Sequence, residues 1–159
     1  MSDSKQYNNE NDIDSTEIPS LSVQAQYVKD FSFENLAPPG SLNITSTPSI
    51  DLKLDIHVTK LPEDDHFEVA LSINARALHD EDTLFIVELE FAGIFYLANI
   101  PEEQHQIVLG INCPALIFPY ARKIVADITQ EGGFQPLMME PIDFARLYQR
   151  RLQEEEKER

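Results

Sequence analysis

The 159-residue chain contains no tryptophan, one cysteine and only five glycines. A single cysteine, Cys113, excludes an internal disulfide and indicates a reducing compartment. No uninterrupted apolar run approaches the roughly 18 residues that a membrane span requires. The polar, acidic N-terminus does not resemble a secretory signal. These absences predict a soluble, cytoplasmic protein that folds as one domain and has no direct membrane insertion.

Positive charge is also scarce, because 12 lysines and arginines stand against 28 aspartates and glutamates. The net charge of −16 repels polyanions, which excludes nucleic acid and favours basic partners. Residues 1–20 show no apolar periodicity and are predicted to form a disordered acidic tail. Residues 153–159 are predicted to form a charged C-terminal tail, which leaves residues 21–152 as the folded domain.

Four segments alternate apolar and polar residues, which is typical of strands with one buried and one wetted face. They cover residues 21–34, 50–59, 67–77 and 85–91. Short turns between the last three predict antiparallel hairpins. Three prolines in residues 35–48 predict a long crossover loop, either functional or a simple connector.

The first of these segments carries a break in its pattern. Lys29 interrupts the alternation and indicates an edge or a bulge. Strict alternation places five apolar residues together on one face: Val23, Ala25, Tyr27, Phe31 and Phe33.

The remainder of the chain has helical periodicity. A short amphipathic helix is predicted at 102–110, followed by a longer helix that begins near Pro114 and stops at Gly132 and Gly133. A last helix follows Pro141, with Asp143 as its predicted N-cap. The fold class is therefore α+β, a four-stranded antiparallel sheet with helices packed on one face.

The long helix carries a broad apolar arc. One row at i, i+4 spacing contains Leu116, Tyr120, Ile124 and Ile128. This arc is wider than packing on one small sheet requires, which favours contact with another subunit. Burial within the same domain is the alternative.

No catalytic or metal-binding pattern stands out. The four histidines lack metal-ligand spacing, and no glycine-rich loop that would hold a phosphate is present. We therefore predict no enzymatic activity, no metal and no cofactor. A small-ligand-binding or enzymatic domain using Cys113 and His105 is the alternative.

The wetted face of the predicted sheet combines acids with an apolar residue. Asp30 and Glu34 lie there in the first strand, and Ile86 and Glu88 lie there in the fourth. An exposed isoleucine among carboxylates predicts a docking surface for a basic partner.

Three motifs resemble the SecB family of bacterial export chaperones. They are Cys-Pro-Ala-Leu-Ile-Phe-Pro-Tyr-Ala-Arg at 113–122, Phe-Gln-Pro-Leu-Met-Met-Glu-Pro-Ile-Asp-Phe-Ala-Arg-Leu-Tyr at 134–148, and Tyr-Val-Lys-Asp-Phe-Ser-Phe-Glu at 27–34. Their order and spacing extend the resemblance over residues 21–152.

The resemblance implies an ATP-independent chaperone that holds unfolded precursor proteins and passes them to the SecA motor. It implies a homotetramer, a dimer of dimers, with the long helices at the interface. SecA would dock on Asp30, Glu34, Ile86 and Glu88. Clients would bind beside the crossover loop, where Leu42 and Ile44 are the apolar residues available in a chain that lacks the family's frequent tryptophan. The alternative within this class is a general holdase that does not contact SecA.

Overall fold

The computed structural model describes residues 18–158, so the predicted tail lies outside the described residues except for its last three positions. This part of the chain contains four strands and three α-helices. The predicted α+β class is confirmed. In chain order the elements are β1 (Ser20–Asn35), β2 (Ser49–Lys60), β3 (His66–His79), β4 (Asp82–Ala98), α1 (Glu102–Ile107), α2 (Cys113–Glu131) and α3 (Phe144–Lys157).

The strands form one antiparallel sheet in the order β1-β4-β3-β2. β1 and β2 therefore lie at opposite edges, and residues 36–48 must cross the end of the sheet to join them. This segment contains a short 3-10 turn at Gly40–Asn43 and is the crossover that its prolines predict. The other strands follow one another through short turns, as predicted.

A bulge at Lys29 changes which face the start of β1 presents. The register with β4 shifts at this residue, where the sequence predicts an irregularity. One extra residue reverses the side of every preceding side chain up to the next bulge. Ala25 and Tyr27 therefore lie on the polar face, and the prediction that they share a face with Phe31 and Phe33 is wrong.

The helical region is more continuous than predicted. A π-helical turn at Val108–Asn112 joins α1 to α2, so Glu102–Glu131 form one 30-residue helix. By length and composition alone this helix could cross a membrane, although core helices of soluble proteins meet the same criteria. It ends as predicted before Gly133, which has φ +91°.

The last helix begins where the sequence predicts and extends into the residues predicted to form a charged tail. The Asp143 carboxylate accepts a hydrogen bond from the Arg146 backbone N–H at 3.1 Å, which confirms the N-cap. α3 then continues to Lys157, so most of residues 153–159 are helical.

The core lies between the apolar face of the sheet and α2. Gly93 permits close approach of the helix, because a Cβ there would lie 2.9 Å from the Phe95 ring and 3.2 Å from Ile117 Cγ2. On the helix, a fully buried row at i, i+4 spacing faces the sheet and comprises Cys113, Ile117, Ala121 and Val125.

Candidate functional site

The polar face of the sheet brings together the four residues predicted for docking. Glu34 pairs directly with Ile86, and Asp30 and Glu88 follow at period-two positions on the same face. The three acids are exposed and Ile86 is half-buried. Asp30, Glu34, Ile86 and Glu88 are called the docking face below.

Lys29 neutralises acids beside the docking face. Its Nζ lies 2.8 Å from Glu68 Oε1 and 4.0 Å from Glu90 Oε1, and the Tyr27 hydroxyl donates to the other oxygen of Glu68. The hydrogen bonds from Lys29 and from Tyr27 lower the pKa of Glu68. Burial, then the hydrogen bond to Glu68, raises the pKa of Tyr27 to about 12.

The acids of the docking face lie outside that network. Within residues 18–158, no ion pair reaches Asp30, Glu34 or Glu88. Asn74 Nδ2 approaches Glu88 Oε1 at 3.4 Å, which is a long hydrogen bond between exposed groups. Carboxylates without ion pairs around a half-buried isoleucine suit a basic partner that also offers an apolar contact.

A cavity of about 330 Å³ lies between the crossover loop and the segment that follows α2. Leu42 and Ile44, the two predicted groove residues, both line it, and Leu42 is 46% exposed. At Gly133 a Cβ would lie 2.8 Å from Leu42 Cδ2, so a side chain there would crowd the cavity wall. Phe85 and Phe134 also line it, with ring centroids 4.8 Å apart.

A second cavity, of about 240 Å³, lies between β2 and α3 and was not predicted. Ile56 and Val58 line it from the strand, and Tyr148 and Arg151 line it from the helix. Its existence depends on how α3 packs against a strand about 90 positions earlier, which periodicity does not specify. Gly110 is the one local signal, because a Cβ there would lie 2.8 Å from the Tyr148 ring.

The apolar row of α2 divides into two kinds of residue. Leu116 and Tyr120 are 46% and 54% exposed. Ile124 and Ile128 are half-buried and pack against the core. Leu116 and Tyr120 therefore form an exposed apolar surface on this helix. Ile124 and Ile128 contribute mainly to the packing of the domain's own core.

Cys113 and His105 do not form a nucleophile and base. The thiol is fully buried, and this burial raises its pKa to about 12. His105 Nε2 is bonded to the Ile100 carbonyl at 2.9 Å, and its ring meets Phe67 edge-on. Among residues 18–158 no group of three or more histidine, cysteine or acidic side chains is placed to hold a metal ion.

The fold and these surfaces define an α+β protein with two distinct candidate binding surfaces. It offers a cavity of mixed polarity on the helical side of a sheet and an acidic surface on the opposite side. A family model described as "Preprotein translocase subunit SecB" matches residues 14–155. The chain belongs to the SecB family, and this membership confirms the predicted class of protein-export chaperone.

Curated relatives and a solved structure agree with this assignment. The chain is 53% identical to the protein-export protein SecB of Rickettsia bellii over 138 residues, which cover 86% of this chain and 91% of the relative. It is 52% identical to the protein-export protein SecB of Rickettsia massiliae over 138 residues, again 86% of this chain and 91% of the relative. A Mycobacterium tuberculosis SecB-like chaperone, solved with a ChAD peptide from an antitoxin, has a similar fold. That match has a TM-score of 0.61 and 18% identity, covering 77% of this chain and 87% of the other.

Proposed function

We propose that this chain is a cytoplasmic, ATP-independent chaperone that holds unfolded precursor proteins and delivers them to the SecA motor. The observation that carries the proposal is the placement of two different surfaces on opposite sides of one sheet. The cavity beside Leu42 and Ile44 would bind clients, and the docking face would bind SecA. Family membership supports both roles.

The size and lining of the larger cavity suit segments of an unfolded chain. A volume of about 330 Å³ accommodates a few side chains rather than a folded domain. Leucine, isoleucine and phenylalanine side chains provide apolar contact, and Ser46 and Thr47 border the same space. Binding would draw on burial of apolar surface, which is non-directional and tolerates many client sequences.

The client experiment measures aggregation of a chemically unfolded protein with and without this chain, in the absence of nucleotide. Leu42→Asp should weaken protection, because it places a charge in the cavity. Leu36→Asp is the matched control, since Leu36 is also 46% exposed but does not line the cavity. A requirement for ATP, or equal losses in the two variants, would contradict the proposal.

The chain would act as a homotetramer, a dimer of dimers. Exposed Leu116 and Tyr120 on α2 supply an apolar surface that a second subunit would cover. Light scattering should return about four times the chain mass of 18.1 kDa. Tyr120→Asp should weaken assembly by burying a charge at the contact, whereas Gln130→Asp on the same helix should not. A monomer at micromolar concentration would contradict this part of the proposal.

A general holdase that does not contact SecA is the second candidate. The observation that favours it is the similar fold of the Mycobacterium tuberculosis SecB-like chaperone, which was solved with an antitoxin peptide. The two candidates share client protection and differ in SecA binding. A pulldown of SecA by the wild-type chain discriminates between them.

A further inference from the structure

An arginine lies directly beside the apolar residue of the docking face. Arg76 of β3 pairs with Ile86 of β4, which pairs in turn with Glu34 of β1. These three residues therefore form one row across the sheet. Arg76 is exposed, and its neighbours Ala75 and Ala77 are fully buried on the other face. Its side chain consequently lies on the same face of the sheet as Ile86 and Glu34.

The Arg76 guanidinium has no ionic partner in the part of the chain that the structure describes. Asp51 of β2 pairs with Arg76 in the sheet, yet no ion pair from residues 18–158 reaches the guanidinium. Lys29 differs from it, because its ammonium contacts both Glu68 and Glu90 on the same face. Arg76 therefore offers exposed N–H donors and a full positive charge next to the docking face.

This position of Arg76 is unfavourable for a partner that is only basic. Like charges that are brought together at an interface repel, so an unpaired guanidinium would oppose the attraction that the acids provide. The same group becomes favourable if the partner places a carboxylate against it. Guanidinium and carboxylate groups match in shape and can form two parallel hydrogen bonds. The row thus presents a negative, an apolar and a positive group in order.

We infer that Arg76 binds an acidic side chain of the partner that docks on this face. This inference rests on the proposed function, in which the partner is SecA, and it names what the docking face selects. Neighbouring strands are about 4.8 Å apart, so the backbones at Glu34 and Arg76 are about 10 Å apart. An extended segment covers that distance in about three residues, at about 3.3 Å per residue. The docking segment of SecA would therefore carry a basic and an acidic residue about three positions apart, with an apolar residue between them.

Neutralising Arg76 tests the inference by the sign of the change in SecA affinity. Arg76→Gln should weaken binding of full-length SecA about 2- to 5-fold, because an exposed ion pair with the acidic side chain is lost. If Arg76 only adds positive charge to this face, the same variant should bind SecA more tightly, since a repulsion is removed. The two explanations therefore predict opposite changes in Kd.

Two further variants serve as controls. Lys53→Gln removes a cation that is also exposed and has no ion pair within residues 18–158, but it lies on β2, two strands away from Ile86. Its SecA affinity should equal or exceed that of the wild type. Arg76→Lys keeps the charge and loses the planar fork, so it should recover part of the lost affinity. The loss in Arg76→Gln should also shrink at high salt.

The outcomes separate this inference from the proposed function. Unchanged or tighter SecA binding by Arg76→Gln would overturn the inference, while docking through Asp30 and Glu88 would stand. Equal weakening by Lys53→Gln, or an Arg76→Lys variant as weak as Arg76→Gln, would overturn it as well. A changed particle mass of Arg76→Gln would assign the arginine to a contact between copies of this chain and would likewise overturn it. No binding of SecA by the wild-type chain would overturn the docking role itself, and the inference with it.

Discussion

Replacing Glu88 by lysine is the sharpest test of the docking face. Glu88 is exposed on the polar face of β4, with no ion pair within residues 18–158 and one long contact to Asn74. The side chain points away from the core, because its neighbours Val87 and Leu89 are buried on the other face. The substitution should therefore leave the free energy of unfolding within about 0.5 kcal/mol of wild type.

The expected loss of SecA binding follows from the exposure of the site. An exposed ion pair contributes about 0.2–1 kcal/mol, and charge reversal replaces that attraction with a comparable repulsion. Glu88→Lys should then cost about 0.5–2 kcal/mol of binding, which is about 2- to 30-fold in Kd. Adding Asp30→Lys should deepen the loss, although two sites on one face need not be additive.

The assay measures SecA affinity and client protection on the same preparation. The loss of SecA affinity should shrink at high salt, since the screening length falls from about 8 Å at 0.15 M to about 3 Å at 1 M. Client protection and particle mass should stay at wild-type values. Asp64→Lys in the β2–β3 turn is the matched control, because it makes the same charge change at an exposed position off the docking face.

Two results would refute this reasoning. Unchanged SecA affinity in the Asp30→Lys, Glu88→Lys double variant would show that the docking face is wrongly placed. Equal losses in Glu88→Lys and Asp64→Lys would show that SecA responds to net charge and not to this face.

The remaining predictions concern buried and titrating groups. Thr129→Val should lower the free energy of unfolding by about 1–3 kcal/mol in urea titrations, because the buried hydroxyl accepts from the Leu137 N–H at 2.9 Å. A Tyr27 pKa of about 12, raised from 10.0, should give one late phenolate absorbance step that Tyr27→Phe removes. The folded protein keeps this proton longer, so its stabilising effect is complete below pH 10.0 and is lost as the pH rises towards about 12. Cys113 should resist alkylation until the protein unfolds, since its thiol is fully buried with a pKa of about 12.

Each of these predictions has a contradicting result. Unchanged stability of Thr129→Val would mean that Leu137 finds another acceptor. A phenolate titration with no late step would contradict the burial of Tyr27 and its hydrogen bond to Glu68. Alkylation of Cys113 in the native protein, with loss of client protection, would restore the alternative that uses this cysteine for function.

The strands and helices could be predicted from the sequence because each has its own local pattern of apolar and polar residues. Alternation specified four strands, and the prolines between β1 and β2 indicated a crossover rather than a hairpin. Strand parity placed Asp30 opposite Phe31 in β1 and Glu88 opposite Leu89 in β4, since adjacent residues of a strand point to opposite faces. Because each strand buries its apolar side, both acids were predicted on the other face of the sheet. The same rule failed for Tyr27, because one extra residue at Lys29 reverses parity and alternation cannot tell on which side the reversal takes effect.

Contacts between segments that are distant in sequence could not be predicted from the alternation of apolar and polar residues. The pairing of Lys29 with Glu68 joins residues 39 positions apart and depends on the strand order. The hydrogen bond from Arg151 to the Ile56 carbonyl joins residues 95 positions apart and depends on how α3 docks against β2. No local sequence pattern identifies the partner of Lys29 or of Ile56, so these contacts can be found only from the packed structure.

The period of two also explains how one sheet could serve the two proposed partners without interference. Along β4, Val87 and Leu89 are buried under α2 while Ile86 and Glu88 face the other way. Adjacent residues in sequence therefore belong to surfaces separated by the thickness of the sheet. A client held beside the crossover loop on the helical side leaves the docking face uncovered. The two proposed partners could then be bound at the same time, as the proposed handover of the client to SecA would require.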